Sequence, residues 1–305
     1  MNLNIIIPHY HSSFCLNNCM YCGFKKSNQI IPRKRLTEEE FIAEIDLILS
    51  WGYRTIEFVY ASDPLLDISN IAKRIGYVKE IGQKRNMYLR VGLNADPLKY
   101  EDYLTLKKAG LDFFVIWMET YSREKYAFWH DPNCPKYDFD FRYNSYSRAI
   151  DAGLTNYGMG ILFGLNNWHE DVTALVEHGK ILEQKYGISP YIIGLPRFKK
   201  ANSVIDIDDY ILPVNDEEYM QACKTYKENF PKTMLFINTR EKLDFNLKFC
   251  GDNDLFTIDC GTSPGAYLYP SVVKNGVEQF HTYQYNRDIA TRKIKEKGFT
   301  PIFDW

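Results

Sequence analysis

The chain has 305 residues, of which 45% are hydrophobic and 15% aromatic, and its formal net charge is −2. It can bury a large core, but its charge gives no reason to expect nucleic acid or an anionic membrane as a partner. No apolar run approaches the roughly 20 residues of a membrane span, and the N-terminus lacks the features of a secretory signal. The odd number of seven cysteines suits a reduced compartment. We therefore expect a cytoplasmic protein with neither nucleic-acid nor membrane partners.

Short β-rich runs alternate with amphipathic segments along the chain. Strands are predicted over residues 3–7, 55–61, 87–94, 112–119, 157–164, 191–195, 233–238 and 255–260, and helices over 37–52, 66–85, 98–110, 141–153, 169–187, 215–229 and 286–298. In the first helix, Thr37 and Glu40 form a capping box and Gly52 marks the end. Eight strands, each followed by a helix or a helix-sized gap, predict a single α/β domain over residues 1–305. This domain is a (β/α)8 TIM-type barrel, with a doubly wound open sheet as the alternative.

The first βα loop of this barrel carries the strongest chemical motif. Cys15, Cys19 and Cys22 follow a C-x3-C-x2-C spacing, and the loop lies at the C-terminal end of a strand, where such barrels place their active sites. Thiolates so close together repel one another unless a metal neutralises them, and soft thiolates favour zinc or iron–sulfur clusters. Three ligands suit a four-iron cluster with one open iron, whereas zinc would need His9 or His11 as a fourth ligand. Zinc sites usually place paired cysteines in two separate segments, so the spacing favours the cluster.

With the aromatic Tyr21 before its last cysteine, the motif resembles the signature of the radical S-adenosylmethionine (radical SAM) superfamily. The chain is also similar to the aromatic-amino-acid (tyrosine) lyase group, which includes 2-iminoacetate synthase and the tyrosine lyase of [FeFe]-hydrogenase maturation. The similar stretches are "IIIPHYHSSFCLNNCMYCGFKKSN" (5–28), "METYSREKYAFWH" (118–130), "GMGILFGLNNW" (158–168), "LPRF" (195–198), "NTREK" (238–242) and "KEKGFTPIFDW" (295–305). The resemblance implies a [4Fe-4S] cluster on the three cysteines, with S-adenosyl-L-methionine on its open iron.

The resemblance also implies a reaction. A reduced cluster cleaves S-adenosylmethionine, and the 5′-deoxyadenosyl radical takes a hydrogen from a small aromatic amino-acid-like substrate, which leads to Cα–Cβ cleavage. The electron comes from a donor of the flavodoxin or ferredoxin type. One alternative is another radical transformation, such as a rearrangement, on a different small molecule. A non-catalytic iron–sulfur or zinc protein is a further alternative.

A group of residues is predicted to bind S-adenosylmethionine, namely Tyr21, Phe24, Ser62, Asp63, Glu119 and Arg142. The two aromatic residues flank the cluster and, by resemblance, contact the adenine. Glu119 ends the fourth strand, where a carboxylate can accept hydrogen bonds from the ammonium or ribose of the cofactor. Arg142 on the following helix could pair with the cofactor's carboxylate. Ser62 and Asp63 follow the second strand, where the superfamily has a glycine-rich turn ending in glutamate and this chain has "YASD".

On the substrate side, Arg197 and Arg240 follow the sixth and seventh strands, and Thr262 supplies a hydroxyl on the last loop. In the lyases a basic residue before a Gly-Gly-Tyr turn helps to hold the substrate's carboxylate. Gly261 occupies that position here. Such a contact is worth about 1.5–3 kcal/mol. We therefore expect either that Arg197 or Arg240 replaces the missing cation, or that the substrate is not free tyrosine.

Overall fold

The predicted strands form a closed parallel barrel in the computed structural model, which describes residues 1–271 and 277–305. The barrel strands are β1 Asn2–Ser12, β2 Thr55–Tyr60, β3 Arg90–Asn94, β4 Phe113–Glu119, β5 Tyr157–Ile161, β6 Ile192–Gly194, β7 Met234–Ile237 and β8 Asp254–Thr257. Strands β2 to β8 pair in chain order, and β1 pairs with both β8 and β2. The (β/α)8 TIM-type prediction is confirmed, and the open sheet is wrong because the sheet closes on itself.

The helices surround this barrel. They are α1 Glu38–Ser50, α2 Ile68–Lys84, α3 Tyr100–Lys108, α4 Arg123–Trp129, α5 Phe139–Tyr143, α6 Ser145–Asp151, α7 Trp168–Tyr186, α8 Asp216–Asn229, α9 Leu243–Asn246 and α10 Arg287–Glu296. The capping box of α1 is present, with Thr37 accepting from the amide of Glu40 and the Glu40 side chain accepting from Thr37. None of the helices in the described ranges is long and apolar enough to cross a membrane.

The connection after β4 differs from the sequence-based prediction. The helix predicted over 141–153 is divided into α5 and α6 at Asn144, and α4 precedes them. The side chains of Ser122 and Asp138 cap the starts of α4 and α5 by accepting hydrogen bonds from Lys125 and Phe141 amides. Both helices are too short to give a clear 3.6-residue period, so the sequence pattern did not reveal them. The connection brings Lys136 to the C-terminal end of the barrel.

A short ninth strand, β9 Thr300–Ile302, also escaped prediction. It pairs in parallel with Asn2–Asn4 at the start of β1, on the edge that β2 occupies only from Ile7 onwards. Three residues that include Pro301 carry too little pattern to identify a strand from sequence.

The interior of the barrel is packed with side chains towards the N-terminal ends of the strands and is open towards their C-terminal ends. Its lower half is apolar, with Ile6, Phe113, Val115, Ile192, Met234 and Leu255 in one cluster. Above them the indole of Trp117 lies against Gly160 and Gly194. A Cβ atom at these two glycines would come within 2.4 and 2.3 Å of the ring. Glycine at both positions therefore makes the space in which Trp117, beside Phe236, forms the floor of a cavity.

Candidate active site

A cavity of about 170 Å³ lies above this floor, at the C-terminal ends of the strands. It brings together most of the residues predicted from sequence, namely Cys15, Cys19, Cys22, Tyr21, Phe24, Ser62, Glu119, Arg142 and Arg240. Three predicted residues, Asp63, Arg197 and Thr262, do not line it. The cysteine loop and the strand ends thus line one cavity, as the barrel prediction required.

The cysteine loop is held in place by protein contacts. Arg33 donates hydrogen bonds of 2.5 to 2.9 Å to four backbone carbonyls of this loop. The amide of Gly23 donates to the carbonyl of Gln279 at 2.8 Å. A Cβ at Gly23 would lie 2.2 Å from the carbonyl oxygen of Glu278, so glycine after the last cysteine permits this close approach. The backbone at Glu278 and Gln279 therefore packs directly on the cysteine loop.

The three thiols fit a cluster by their chemistry. All are free cysteines that line the same cavity. Burial and the neighbouring Cys15 raise the pKa of Cys22 to about 11, and burial also raises the pKa of Cys19. Thiolates at these positions need a metal centre to stabilise them. Among the described residues no three His, Cys, Asp or Glu side chains are grouped closely enough to hold a single ion. That spacing does not argue against a cluster, in which each cysteine binds a different iron.

The histidines considered as zinc ligands lie on the opposite face of β1. His9 Nε2 is 2.8 Å from Glu44 Oε2, and its Nδ1 is 3.1 Å from His11 Nε2. Arg74 Nη1 lies 2.8 Å from His11 Nδ1. Both rings are buried between β1 and helices α1 and α2, and neither lines the cavity. Using His9 or His11 as a fourth ligand beside the cysteines is therefore wrong.

Two acid–base pairs form one polar wall of the cavity. Glu119 Oε1 accepts from Lys136 Nζ at 2.6 Å, and Asp96 Oδ1 accepts from Arg142 Nη2 at 2.6 Å. Glu119 has φ +69° at a register shift between β4 and β5, an uncommon conformation that reorients its side chain at the end of the strand. Burial raises the pKa of Asp96, but Arg142 and Lys136 outweigh this and lower it. Asp96 and its partner Arg142 are therefore both charged near neutral pH.

Arg142 makes more hydrogen bonds within the protein than the sequence suggested. Its guanidinium also donates to the hydroxyl of Tyr126 and to the carbonyl of Trp117, both at 3.0 Å. Much of its donor capacity is used within the protein. Lys136, which the sequence analysis missed, lies next to the cysteine loop, with its Nζ 5.7 Å from the centroid of the Tyr21 ring. No pattern around "NCPKY" distinguishes this lysine from a surface residue.

Ser62 and Asp63 separate in the structure. Ser62 lines the cavity and is hydrogen-bonded to Asp96 and to Asn17. Asp63 accepts a bidentate pair from Arg35 at 2.6 and 2.7 Å and a hydrogen bond from Ser12. It joins the end of the cysteine loop to β1, so we do not retain it as a cofactor ligand. The missed Asp96 had a signal, because "NADP" directly follows a strand.

The two candidate arginines have opposite environments. Arg197 is bound to Glu241 at 2.7 and 2.8 Å and to Asp216 at 2.8 Å, in a separate surface depression. Arg240 lines the main cavity with its guanidinium 3.4 Å from the centroid of the Phe280 ring. Within the described part of the chain, the Arg240 guanidinium has no hydrogen bond or ion pair. Burial lowers its pKa to about 10. The assignment of Arg197 to substrate is therefore not retained.

The last loop has no room for a cation at the expected position. A Cβ at Gly261 would lie 2.5 Å from the Cβ of Ala266. Thr262 is fully buried outside the cavity, and its hydroxyl has no partner among the residues described. We do not retain Thr262 as a catalytic residue, because its side chain does not reach the space that a substrate would occupy.

One further carboxyl group in the cavity escaped the sequence analysis. Glu57 of β2 is buried, and burial raises its pKa to about 8. Its neighbours Tyr10 and Cys260 also line the cavity, and their pKa values are raised by burial and by Glu57. An acidic residue within the apolar strand "TIEFVY" was a usable signal, because buried strands rarely carry an unpaired charge.

Comparison with known proteins agrees with this geometry. The chain is 26% identical to 2-iminoacetate synthase from Salmonella typhimurium (strain LT2), over 99% of this chain and 78% of that protein. It is 27% identical to 2-iminoacetate synthase from Escherichia coli (strain K12), with the same coverage. A crystal structure of HydG, a maturase of the [FeFe]-hydrogenase, superposes with a TM-score of 0.89 at 29% identity. That alignment covers 99% of this chain but only 65% of HydG.

The family match is direct. The profile of the radical SAM superfamily matches residues 9–177, more than half of the chain, and this range includes the cysteine motif. Members of this family use a [4Fe-4S] cluster and S-adenosylmethionine, and they need a reductant. The residues present fit both groups, with three cysteines for the cluster and a charged wall for a zwitterionic cofactor. This chain belongs to the radical SAM superfamily and is related to the tyrosine lyases.

Proposed function

We propose that this radical SAM enzyme acts on a small aromatic amino acid, with tyrosine as the first candidate, and cleaves its Cα–Cβ bond. The relatives named 2-iminoacetate synthase and HydG support this choice, because the similarity to them extends over 99% of the chain. We further propose that Cys15, Cys19 and Cys22 bind the cluster, and that a flavodoxin- or ferredoxin-type donor reduces it.

The observation that carries the proposal is the free guanidinium of Arg240. An arginine that is half-buried in a cavity normally has an anionic or carbonyl partner, and Arg240 has none among the described residues. Its planar donors match a carboxylate in bidentate geometry. Stacking on Phe280 keeps the guanidinium plane in place before the substrate arrives. We assign it to the substrate's carboxylate, in place of the cation missing at Gly261.

The floor of the cavity suits an aromatic ring. Trp117 and Phe236 both line it, with ring centroids 6.3 Å apart. Aromatic pairs prefer offset or edge-to-face contacts, and a substrate ring can make them with either residue. A small ring-bearing zwitterion would then lie between the aromatic floor and the cysteine loop.

The remaining residues position and shield the reactants. When bound, the reduced cluster and S-adenosylmethionine supply a 5′-deoxyadenosyl radical that takes a hydrogen atom from the substrate. We propose that Lys136, Glu119, Asp96 and Ser62, which line the cavity, hold the polar groups of the cofactor, and that Tyr21 and Phe24 contact its adenine. We propose that Gln279 and Phe280, next to Gly23 at the cavity, limit the access of water to a reactive radical.

The test incubates anaerobically reconstituted enzyme with dithionite, S-adenosylmethionine and either tyrosine or tryptophan. We expect tyrosine to accelerate release of 5′-deoxyadenosine and to yield p-cresol. Tryptophan is the comparison ring and would yield an indole fragment if the larger ring fits. Deoxyadenosine release that neither amino acid accelerates, with no ring fragment, would reject the lyase proposal.

A second candidate function rests on Gly261. Because a side chain at this position would collide with Ala266, the carboxylate of any substrate must be held from a different side than in the lyases. A substrate turned in this way would present another C–H or N–H bond to the radical. The second candidate is therefore a different radical transformation, such as a rearrangement, of another small molecule. Deoxyadenosine release stimulated by such a molecule, but not by tyrosine or tryptophan, would favour it.

A further inference from the structure

Glu57 is a buried carboxyl group with an unused acceptor. It is only 2% exposed and lines the cavity from β2. Its Oε1 accepts a hydrogen bond of 3.2 Å from Asn94 Nδ2, while Oε2 has no partner within the described ranges. Oε2 is not among the fully buried side-chain atoms that lack a partner, so it is accessible from the cavity, where protein, water or a ligand normally satisfies a carboxyl oxygen. Glu57 therefore has the features of a residue that binds a hydrogen-bond donor in the cavity.

Among the described residues, no cation is found whose charge acts on Glu57. Its register partners are Pro8 on β1 and Gly92 on β3, and neither carries a charge. The titratable groups that respond to its charge are Tyr10 and Cys260, whose own pKa values are raised by burial. Tyr10 donates its hydroxyl proton to Gln279 Oε1 at 2.9 Å, so it is not engaged with Glu57. Within the described ranges no protein cation pairs with Glu57, so a ligand can supply one.

Glu57 and Arg240 line the same cavity, together with Tyr10. Glu57 raises the pKa of Tyr10 and Arg240 lowers it, so both charges act on that phenol. One cavity thus contains a cation and a carboxyl group that each have a free side among the described residues. An α-amino acid has the complementary arrangement, with a carboxylate for Arg240 and an amino group for Glu57. An aromatic acid or an aromatic amine alone would satisfy only one of them.

We propose that Glu57 binds the amino group of the substrate and takes one proton from it. The N–H bond of the ammonium breaks heterolytically, the proton goes to Glu57 Oε2, and the electron pair stays on nitrogen as a neutral amine. The step involves no oxidation or reduction. It prepares hydrogen-atom removal, because a neutral amine loses a hydrogen atom to give a neutral radical, whereas an ammonium would give a radical cation. This inference rests on the proposed function in that the substrate is an amino acid.

The acidity of Glu57 supports the transfer. Burial raises its pKa to about 8, with the hydrogen bond from Asn94 acting in the opposite direction. The ammonium of a free amino acid is a weaker acid than a peptide α-ammonium, so transfer of its proton to Glu57 is uphill, but a carboxyl group with a pKa of about 8 makes the cost far smaller than an ordinary glutamate would. In the empty cavity Glu57 is mostly protonated at pH 7, and an incoming ammonium would displace that proton to solvent. Binding of an amine below pH 8 should therefore release about one proton per ligand.

The experiment uses two fragments of tyrosine with reconstituted, S-adenosylmethionine-loaded enzyme. Tyramine keeps the ring and the amine, whereas 3-(4-hydroxyphenyl)propionate keeps the ring and the carboxylate. Calorimetric titrations compare wild type, Glu57→Gln and the control Asp171→Asn. Asp171 is also a buried carboxyl group with a pKa raised to about 6 by burial, but it lies outside the cavity. Its hydrogen bonds from Thr120 and Tyr121 all go to Oδ1, which asparagine retains.

We expect Glu57→Gln to weaken tyramine binding about tenfold or more and to leave the propionate nearly unchanged. Asp171→Asn should change neither affinity. Titrations in buffers of different ionisation enthalpy should show about one proton released on tyramine binding by wild type at pH 7 and none by Glu57→Gln. The wild-type measurement needs no variant, so it tests the proposal even if Glu57→Gln folds poorly.

Several results would overturn the proposal. These are unchanged tyramine affinity in Glu57→Gln, no proton release by wild type, or failure of wild type to bind tyramine at all. Normal ring-fragment production from tyrosine by Glu57→Gln would also overturn it and would leave the lyase function intact. If instead tyrosine yields no ring fragment but tyramine binding depends on Glu57, the lyase proposal fails and the role of Glu57 stands.

Discussion

Replacing Arg240 with methionine should make the substrate-free protein more stable and should abolish substrate binding. Burial lowers the pKa of Arg240 from 12.5 to about 10, so folding disfavours its charged form at every pH below that value. This difference in pKa corresponds to an upper bound of about 3–4 kcal/mol. Loss of the contact with Phe280 offsets part of the gain, roughly 1 kcal/mol for a cation–π pair. We therefore expect Arg240→Met to raise the free energy of unfolding by about 1–2 kcal/mol, as functional sites often trade stability for activity.

The binding effect has the opposite sign and a larger size. Two charge-assisted hydrogen bonds from the guanidinium to a carboxylate are worth about 1.5–3 kcal/mol each. Their loss should weaken the binding of 3-(4-hydroxyphenyl)propionate by a factor on the order of 10²–10⁴. Arg240→Lys keeps the charge but not the bidentate geometry, so it should fall between wild type and Arg240→Met.

Arg197→Met is the matched control. Arg197 also contacts aromatic rings, Tyr219 and Phe245, but its guanidinium is already paired with Glu241 and Asp216. Removing it leaves the buried Glu241 with only Lys199 at 3.2 Å. We expect this variant to lose about 1–3 kcal/mol of stability, discounted for partial exposure, and to bind the propionate normally.

Urea unfolding under anaerobic conditions, followed by far-UV circular dichroism, measures the stability of all three proteins, and calorimetry measures the affinity. The two arginine-to-methionine variants should shift the unfolding midpoint in opposite directions. If Arg240→Met is destabilised as much as Arg197→Met and binds the propionate like wild type, the assignment of Arg240 as an unpaired carboxylate-binding residue is refuted.

Three further outcomes follow from the structure. Cys19→Ala should lose the cluster, because two cysteines cannot replace three ligands; iron and sulfide counts with visible absorption measure this, and retention of a normal cluster would contradict the assignment. Lys136→Ala should weaken S-adenosylmethionine binding about tenfold in equilibrium dialysis while iron content stays normal, whereas unchanged affinity would remove Lys136 from the cofactor site. Gly194→Ala should lower the free energy of unfolding by about 1–3 kcal/mol, because its Cβ would collide with Trp117. Gly76→Ala, in open space within α2, should raise the free energy of unfolding by up to about 1 kcal/mol. Urea unfolding measures both, and the reverse order of stability would contradict the packing of the cavity floor.

The fold could be predicted from the sequence because its signals are local. Strands of alternating or continuous apolar residues and helices with caps such as Thr37 repeat at the spacing of a (β/α)8 barrel. The cysteine motif is also local, since three cysteines within eight positions indicate a metal centre without any tertiary information. The elements that escaped, α4 and β9, are short and depend on caps or on a neighbouring strand edge.

The roles of individual charged residues were decided only by the tertiary structure. Arg197 and Arg240 look equivalent in sequence, since each follows a strand, yet distant acids pair with one and leave the other open to the cavity. Lys136 reaches the cavity because the connection after β4 folds over the barrel. The sequence shows that Glu57 is acidic, but only the structure shows that its Oε2 has no hydrogen-bond partner among the described residues. Pairing is a property of groups far apart in the chain, so a sequence names the charged residues while the fold determines which of them are free to bind.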